Sequence, residues 1–388
     1  MIKKYFFFFF TLAFFSTLQA QTVQLSVYSE ISIVTVGPGE ELYEAFGHSA
    51  IRIKDPVLNL DLVYNYGIFD FNQPNFYANF TKGNMIYSLA SYDFKYFLAS
   101  YKKQKRWVKQ QVLNLTLEEK QHYFLFLEKN VLPANKDYHY DPYFDNCATK
   151  LRDITKSILG NKVVFIIDDA NKGLTFRQLT NNEIHWNNWG SFGLNLFSGM
   201  KLDEIATTEA YQFLPDYVYQ SFKNATLSGK NKLVKREDII LDFEEKEQKT
   251  AIFNPLLIFS ILAILGIFIT YKDYKKKKRT KFLDFLILFF TGLIGGILCF
   301  LWFFSNHSIT PNNLNVLWAF FPNIIVVFLL SKNLKSKWMF YYLRILFVFI
   351  LIVPVLWIFN IQSFPPVIIP LLVLLLVRYL YLFTYRKI

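Results

Sequence analysis

The sequence predicts an α+β domain outside the cytoplasm, followed by an all-α transmembrane bundle of about five helices. Composition is the first observation behind this prediction. The chain has 388 residues, of which 53% are hydrophobic and 19% aromatic, and these values exclude a disordered chain and an ordinary soluble domain. The second is that the long apolar segments of the chain begin only after residue 250, apart from one near the N-terminus. The third is the distribution of charge.

The net charge of +12 comes from the C-terminal part of the chain. After residue 250 there are 14 Lys and Arg residues and only two acidic residues. Residues 21–250 carry 26 basic and 28 acidic side chains and are nearly balanced. A protein that binds nucleic acid would carry its basic excess on a folded domain. The distribution therefore excludes a nucleic-acid partner and indicates membrane topology.

The first 20 residues have the three parts of a secretory signal peptide. Lys3 and Lys4 precede an apolar run from Tyr5 to Phe15, and small and polar residues follow up to Ala20. A retained signal anchor is the alternative, but the run is shorter than the roughly 20 residues that a span requires. We therefore expect residues 1–20 to be cleaved after Ala20.

Five apolar segments after residue 250 are predicted to span the membrane. Basic residues fill the loops 272–281 and 332–344, whereas the loops 305–313 and 361–366 carry no charge. Because positive loops mark the cytoplasmic side, the N-terminal domain is expected outside and the C-terminus in the cytoplasm. The predicted spans are 251–271, 282–304, 314–331, 345–361 and 366–384.

Residues 21–225 are predicted to form one domain, with a polar linker at 226–250 before the membrane domain at 251–388. The domain begins with strands, because β-branched residues partly alternate in four segments: Val23–Val27, Ile31–Val36, Ser49–Ile53 and Asp61–Tyr66. Helices follow. Thr116 and Glu119 form a capping box that opens a helix ending near Leu132. A second helix is predicted after Asn146, with its apolar face formed by Ala148, Leu151, Ile154 and Leu159.

Cys147 is the only cysteine of the predicted outer domain, since Cys299 falls inside the second predicted span. A lone thiol in an oxidising compartment is a liability unless it has a use. At a helix N-terminus its pKa is lowered, which favours a nucleophile. The alternative is a small buried hydrophobic residue, which neighbouring Asp145 favours because a carboxylate opposes thiolate formation. Neither the five histidines nor the glycines show the spacing of a metal or phosphate site, so no metal and no cofactor is expected.

His48 is the preferred base for this nucleophile. It begins a predicted strand after Gly47, with Ala50 and Arg52 on the same face. Asn65, on one face of the next strand, is the choice for the group that orients the imidazole. His139 remains a second candidate for the base. Two other histidines are assigned to a solvated helix face and to a packed loop: His122 and His185.

Several motifs together resemble a known family. A Gly-His pair at a strand start, with a later Cys at a helix N-terminus, resembles the circularly permuted papain-like thiol enzymes, which include the NlpC/P60-type hydrolases and lecithin:retinol acyltransferase. The combination is more closely similar to the Lnb family, the lipoprotein N-acyltransferases of Bacteroides-type bacteria. Its motifs here are Glu41–Arg52, Tyr64–Phe71, Tyr143–Asp153, Phe213–Pro215 and His307–Trp318. Lys150 departs from the Arg expected there.

The resemblance implies a permuted papain-like (NlpC/P60-like) periplasmic domain held at the bacterial inner membrane. It also implies acyl transfer from a phospholipid, through a Cys147 thioester, to the α-amino group of the lipidated N-terminal Cys of a diacylated lipoprotein. Cys147, His48 and Asn65 are then the expected catalytic residues. Further candidates for substrate binding or for stabilising the oxyanion are Tyr43, Arg52, Tyr66 and His307.

Two other functions remain open on sequence grounds. A membrane-tethered cysteine hydrolase or amidase acting on cell-wall peptides would use the same thiol and imidazole, with water as the acceptor. A non-catalytic envelope scaffold would need neither Cys147 nor His48. A fatty acyl group on Cys147 would favour the acyltransferase over the hydrolase. The scaffold predicts that substitution of Cys147 or His48 leaves the function intact.

Overall fold

An antiparallel β-sheet of seven strands forms the centre of the N-terminal domain in the computed structural model, which describes residues 23–166, 173–245, 250–330 and 336–385. The predicted signal peptide, residues 1–20, lies outside the described residues. The strands in chain order are β1 Glu30–Val36, β2 His48–Asp55, β3 Leu60–Ile68, β4 Ile86–Asp93, β5 Val108–Leu113, β6 Asp137–His139, β7 Val163–Val164, β8 Thr226–Leu227, β9 Asn231–Lys232 and β10 Val234–Leu241. The large sheet has the order β10-β5-β1-β2-β3-β4-β6, and β7, β8 and β9 form a small second sheet.

In the described part of the N-terminal domain, seven helices accompany these strands, and four of them cover the two faces of the large sheet. They are α1 Phe76–Lys82, α2 Phe94–Gln104, α3 Leu117–Asn130, α4 Cys147–Leu159, α5 Phe176–Glu183, α6 Trp189–Phe197 and α7 Pro215–Asn224. On one face, Phe94 and Phe97 of α2 pack on Val34 and Val63. On the other, α3, α4 and α7 cover a larger core that includes Ile33, Ile51, Leu151 and Val218. Successive side chains along a strand, such as Ile33 and Val34 of β1, therefore face two separate apolar layers, as in any sheet with two covered faces.

Three of the four predicted strands are present, and one is not. The segments predicted at 31–36, 49–53 and 61–66 lie within β1, β2 and β3. The prediction for Val23–Val27 is wrong, because this segment is not a strand. Side chains hold it instead: Gln121 Oε1 accepts from the backbone N–H of Leu25, and Asp55 Oδ2 accepts from that of Ser26. Its alternating composition lacked a neighbouring strand to pair with.

The two predicted helices are confirmed. Thr116 accepts from the backbone N–H of Glu119, and the Glu119 carboxylate accepts from the backbone N–H of Thr116, which completes the capping box of α3. Helix α4 begins at Cys147 with Asn146 as its cap. Both helix starts were readable because capping depends on side chains adjacent in sequence.

The folded domain extends beyond residue 225, into the segment predicted to be a linker. Residues 226–232 form β8 and β9, and β10 pairs with β5 at the edge of the large sheet. Strand β10 has a polar sequence, Val-Lys-Arg-Glu-Asp-Ile-Ile-Leu, because an edge strand is exposed and tolerates charge. The sequence signal of a linker and that of a charged edge strand are therefore alike.

Among the described residues, four helices are long and apolar enough to cross a membrane, judged by length and composition. They are α8 Pro255–Lys276, α9 Lys281–Phe303, α11 Lys337–Ile358 and α12 Ile369–Tyr385, the last preceded by a 3-10 turn at Pro366–Ile368. Four of the five predicted spans correspond to these helices, although α11 begins eight residues before the predicted residue 345. The membrane part is thus helical, as predicted.

The predicted third span, 314–331, is not one continuous helix in the described part of the chain. It consists of a 3-10 turn at Leu314–Leu317 and the short helix α10, Asn323–Leu330. Pro322 precedes α10, and the buried Asn315 amide accepts from the indole N–H of Trp318. Asn323 is also buried and donates to Thr291 Oγ1 of α9. Proline and locally satisfied amides interrupt the helix, which a count of apolar residues does not register.

Helix α9 supports this interrupted segment by close backbone packing. A Cβ atom placed on Gly292 would overlap the backbone of Ile324, and one on Gly295 would overlap the backbone of Ala319. Small residues allow backbones to approach in this way inside a membrane. At the other end of the bundle, Arg378 of α12 is fully buried and pairs with Asp273 of α8 and Asp284 of α9 at 2.8 and 2.6 Å.

Hydrogen bonds join the N-terminal domain to the loops between the membrane helices. The Asn313 side chain donates to the Leu196 carbonyl of α6 at 2.8 Å, and the backbone N–H of Ser363 donates to Asp203 Oδ1 at 3.1 Å. Further contacts pair the loop 305–313 with residues of α1 and of the turn after α6: Asn306 with Lys82, Ile309 with Gly199, and Asn312 with Met200. The domain is therefore seated directly on the outer end of the helical bundle.

Candidate active site

His48 is the first residue of β2, at one end of the sheet. It pairs with Val36, the last residue of β1. Gly47, before it, has a φ of 74°, and a Cβ atom at this position would lie 2.8 Å from the carbonyl oxygen of Val36. Only glycine fits this left-handed backbone without strain. The turn therefore holds the His48 imidazole in a fixed position at the start of β2.

Cys147 is the first residue of α4, and its position is fixed by the residue before it. The Asn146 side-chain oxygen accepts from the backbone N–H groups of Ala148 and Thr149, both at 2.9 Å. Its amide nitrogen donates to the carbonyl oxygens of Pro142 and Phe213 at 2.7 and 2.8 Å. All of the functional atoms of this buried amide are used, so it ties the helix start to two other segments.

Gly67 lies beside Cys147 in a backbone conformation that favours glycine. A Cβ atom at Gly67 would lie 3.7 Å from the Cys147 Cβ atom, and its φ of 91° accompanies an irregularity in the pairing of β3 with β4. Asp145 was the residue that argued against a thiolate. Its carboxylate pairs with Lys150 at 2.7 Å, so its charge is balanced locally.

Hydrogen bonds connect Cys147, His48 and Asn65 in this order. The His48 side chain is hydrogen-bonded to Cys147, and His48 Nε2 lies 2.6 Å from Asn65 Oδ1. An amide oxygen can only accept, so Nε2 carries a proton and the other ring nitrogen is left for the thiol. Tyr92 Oη accepts from Asn65 Nδ2 at 3.0 Å, which fixes the orientation of the amide.

The electrostatics of this pair favour a thiolate beside an imidazolium. Burial alone raises the pKa of the Cys147 thiol, but the charge and hydrogen bond of His48, with the N–H groups of Ser49 and Ala148, lower the pKa below its ordinary value. Burial alone lowers the pKa of His48, but Cys147 and Asn65 raise it above its ordinary value. Each group therefore stabilises the charged form of the other.

A cavity of about 880 Å³ opens at this pair. It reaches from the start of β2 to the membrane helices, and its lining is mostly apolar and aromatic. On the domain side it is lined by His48, Asn65, Cys147, Tyr101, Tyr140 and Met85. On the membrane side it is lined by Leu194 and Phe197 of α6, Ile297 and Leu301 of α9, and Ile309 of the following loop. A cavity of this size and lining fits a lipid-like ligand.

The further candidates from the sequence separate into two groups. Tyr43 and His307 line the cavity, Tyr43 at an exposed edge and His307 at the membrane side. His307 Nε2 donates to the Phe80 carbonyl oxygen at 2.9 Å, and burial lowers its pKa, so it is neutral at pH 7. It therefore holds α1 in place.

Arg52 and Tyr66 lie outside this cavity. Arg52 binds Asp61 through two hydrogen bonds at 2.7 and 2.8 Å and rests on the Phe94 ring. Tyr66 is buried in the core, where its hydroxyl accepts from Asn130 at 2.7 Å. Neither side chain is directed to Cys147 in this arrangement. His139, the second candidate for the base, lies in β6 and does not line the cavity.

Three residues near the pair were not singled out by their sequence. Tyr92 orients Asn65, Tyr101 stacks on His48 with ring centroids 6.4 Å apart, and Arg106 lies in the cavity wall. They come from β4, α2 and the turn after α2. No local motif marks these three residues, because only the fold brings them close to His48. Among the described residues, no group of three or more His, Cys, Asp or Glu could hold a metal ion.

Comparison with known families agrees with this division into two parts. No curated protein and no solved structure matches the chain significantly. Residues 16–181 match the model of the Lnb N-terminal periplasmic domain, and residues 246–388 match the model of the Lnb transmembrane domain. With a periplasmic domain and a transmembrane domain of the same family on one chain, the protein belongs to the Lnb family.

Proposed function

We propose that the protein is a lipoprotein N-acyltransferase, in which Cys147 carries the acyl group and His48 moves the protons. Membership of the Lnb family suggests a role in lipoprotein processing. The observation that carries the specific reaction is the position of the thiol. Cys147 lies in a cavity that is continuous with the apolar surface of α9, where an acyl chain can remain in an apolar environment.

In the first step, the Cys147 thiolate attacks the ester carbonyl carbon of a phospholipid. A carbon–sulfur bond forms, and the ester carbon–oxygen bond breaks. The leaving alkoxide takes the proton of the His48 imidazolium, giving an acyl thioester and a lysophospholipid. The backbone N–H of Cys147, in the first turn of α4, has no helical acceptor and is a donor for the oxyanion.

In the second step, the α-amino group of the lipidated N-terminal Cys of a lipoprotein attacks the thioester. His48, now neutral, takes the proton of the amine, an amide bond forms, and the carbon–sulfur bond breaks. The thiolate and imidazolium are restored, and the product is a triacylated lipoprotein. Asn65 acts through His48, because its bond to Nε2 keeps the other ring nitrogen directed at the sulfur.

Transfer rather than hydrolysis is supported by the cavity lining. An amine acceptor prevails over water when the thioester is held in a dry site. The side chains beyond Cys147 towards the membrane are apolar and include Leu194, Phe197, Ile297 and Leu301. A soluble cell-wall peptide would have little use for this apolar end. A hydrolase or amidase acting on cell-wall peptides remains the outcome to test against.

The same proposal includes the finer architecture. A permuted papain-like fold is supported by the order of the residues, with His48 on a strand before Cys147 at a helix N-terminus, and by the packing of α4 on the sheet. A bacterial inner-membrane location with a cytoplasmic C-terminus is supported by the basic residues at the end of α8 and in the turn before α9, which include Lys275–Lys278.

Complementation tests the proposed function. The protein is expressed in a bacterium depleted of its own lipoprotein N-acyltransferase, and the N-terminal acyl groups of a reporter lipoprotein are counted by mass spectrometry. We expect three acyl groups with the wild-type chain and two with Cys147→Ser. Cys299→Ser, which removes the thiol of α9, is the matched control and should give three. Two acyl groups in the presence of well-expressed wild-type protein would refute the proposal.

A further inference from the structure

Arg106 is a buried cation in the wall of the cavity, and its hydrogen bonds are incomplete. It is 6% exposed. Its Nε donates to the Gly37 carbonyl oxygen at 2.7 Å, and its Nη1 donates to Gln104 Oε1 at 3.1 Å and lies 3.7 Å from Glu44 Oε1. Its Nη2 is buried and has no hydrogen-bond partner among the residues that the structure describes. A buried charged donor without an acceptor is costly, and ligand binding is a common reason for keeping one.

The guanidinium lies close to His48, with the Tyr101 ring as the shared neighbour. Arg106 lies over the Tyr101 ring, 5.0 Å from its centroid, and the Tyr101 ring stacks on His48. Tyr140, which also lines the cavity, is bonded through its backbone to Met85. The adjacent Asn84 accepts from the Asn306 side chain, in the loop after α9. Cys147 and His48 share one cavity with Arg106, whose part of the wall we call the cationic end, and with Ile297 and Leu301 of α9, whose part we call the apolar end.

The charge around Arg106 favours an anion at this end. Its charge opposes the protonated form of His48, so an anion beside Arg106 would relieve this repulsion. Exposed lysines precede it at the end of α2: Lys102, Lys103 and Lys105. Lysines there also suit the negative end of the helix dipole. That explanation does not extend to Arg106, which is buried beyond the helix end.

We propose that Arg106 binds the phosphate of the phospholipid donor, with its free Nη2 donating to a phosphate oxygen. A guanidinium suits a phosphodiester because it presents several N–H donors in one plane. The phosphate would lie at the cationic end, the ester at Cys147, and the acyl chain towards Leu301. This inference rests on the proposed acyl transfer and adds a residue that selects the head of the donor.

The test compares two acyl donors with the same acyl chains, one with a phosphoglycerol head group and one without it. Purified full-length protein is mixed with phosphatidylglycerol or with diacylglycerol of the same chains, and the rate of acyl addition to Cys147 is followed by mass spectrometry. We expect the wild-type protein to prefer the phospholipid, and Arg106→Gln to reduce this preference about tenfold or more, as expected for a lost charged hydrogen bond. Arg152→Gln, whose guanidinium binds Asp153 and the Glu209 carbonyl outside the cavity, should keep the preference.

The ratio of the two rates separates the possible outcomes, because a loss of folded protein lowers both rates together. An unchanged ratio in Arg106→Gln overturns the inference and leaves the acyl transfer standing. Absence of acyl addition from either donor in the wild-type protein would refute the proposed function itself.

A second measurement needs no variant. Glycerol 3-phosphate should slow acylation of the wild-type protein by phosphatidylglycerol, inorganic phosphate should do so less, and glycerol should not. Equal rates with all three additives contradict the proposal.

Discussion

Asn65 accepts a hydrogen bond from His48 across two neighbouring strands, with 2.6 Å between Oδ1 and Nε2. This contact decides which ring nitrogen faces Cys147, because the amide oxygen requires a proton on Nε2. The amide is itself oriented by Tyr92. The Asn65 side chain therefore sets the tautomer of the His48 imidazole.

Substitution of Asn65 should lower the rate of acyl transfer without abolishing it. Asn65→Ala removes the acceptor of Nε2, so the imidazole spends less time in the productive orientation. We expect a fall of about tenfold to a hundredfold in kcat, in line with the loss of one hydrogen bond at a buried site. Tyr92→Phe removes only the bond to the Asn65 nitrogen and should cause a smaller loss. Wild-type rates in Asn65→Ala would contradict the role given to this residue.

The reactivity of Cys147 towards iodoacetamide should persist below the pH range of an ordinary thiol. The thiolate is the reactive form, and the positive charge of His48 lowers the pKa of Cys147. As the pH falls, alkylation is therefore lost at a lower pH than for a free cysteine. The measurement is the alkylation rate against pH in Cys299→Ser, in which Cys147 is the only thiol.

His48→Gln provides the comparison for this profile. Glutamine fills a similar volume but carries no charge, so the midpoint of the alkylation profile should move to higher pH. The midpoint moves to higher pH because removal of the neighbouring His48 cation makes the Cys147 thiolate less stable. An identical midpoint in the two proteins would show that His48 does not set the pKa of Cys147.

A larger side chain at the membrane end of the cavity should shorten the acyl chains that the protein accepts. Leu301 of α9 lines this end, and Leu301→Trp would fill part of it. We expect the rate with long-chain phospholipids to fall more than the rate with short-chain ones. Leu293→Trp is the matched control, because Leu293 lies on the same helix, is 40% exposed and does not line the cavity. Equal losses at every chain length would indicate a different path for the acyl chain.

Helix α1 should lie at the membrane surface. Its carbonyl oxygens at Phe80 and Lys82 accept from His307 and Asn306, which follow the outer end of α9 within four residues. Tyr77 on α1 is 75% exposed, and aromatic side chains favour this interface. A nitroxide label at Tyr77→Cys, with both native cysteines replaced by serine and the protein in liposomes, should be more accessible to oxygen than to a water-soluble nickel reagent.

Tyr28 supplies the control for that label. It is 70% exposed and precedes β1, whose far end pairs with His48. A label at Tyr28→Cys should therefore lie in water, with the opposite preference between the two reagents. The same preference at both positions would contradict the placement of α1 at the membrane surface.

The sequence predicts a residue of the candidate site when the signal lies in its neighbours along the chain. His48 and Cys147 could be proposed from the sequence because each follows a local signal, a glycine before a strand and an asparagine cap before a helix. Asn65 followed from strand alternation. Arg106 and Tyr101 were not proposed, because their proximity to His48 comes from contacts between elements distant in sequence, which no pattern along the chain records.

The differences in the fold have similar physical causes. The edge strand β10 is as polar as a linker, because its exposed side chains need not be apolar. The segment 314–331 is apolar enough for a span, yet Pro322 and the buried amides of Asn315 and Asn323 interrupt it. Arg378 contributed to the basic excess of the membrane part, but its charge is neutralised inside the bundle by Asp273 and Asp284. Composition reports the average environment of a segment and not the partners of single residues.

The most direct test of the central claim is the chemical state of the Cys147 sulfur. The full-length protein is purified from membranes, treated with and without hydroxylamine, and measured by mass spectrometry. We expect a fatty acyl adduct on the peptide that contains Cys147, which hydroxylamine removes and which is absent from Cys147→Ser. It should also disappear when a diacylated lipoprotein is added, with the acyl group recovered on its N-terminus. An unmodified thiol, together with cleavage of cell-wall peptides, would contradict the account.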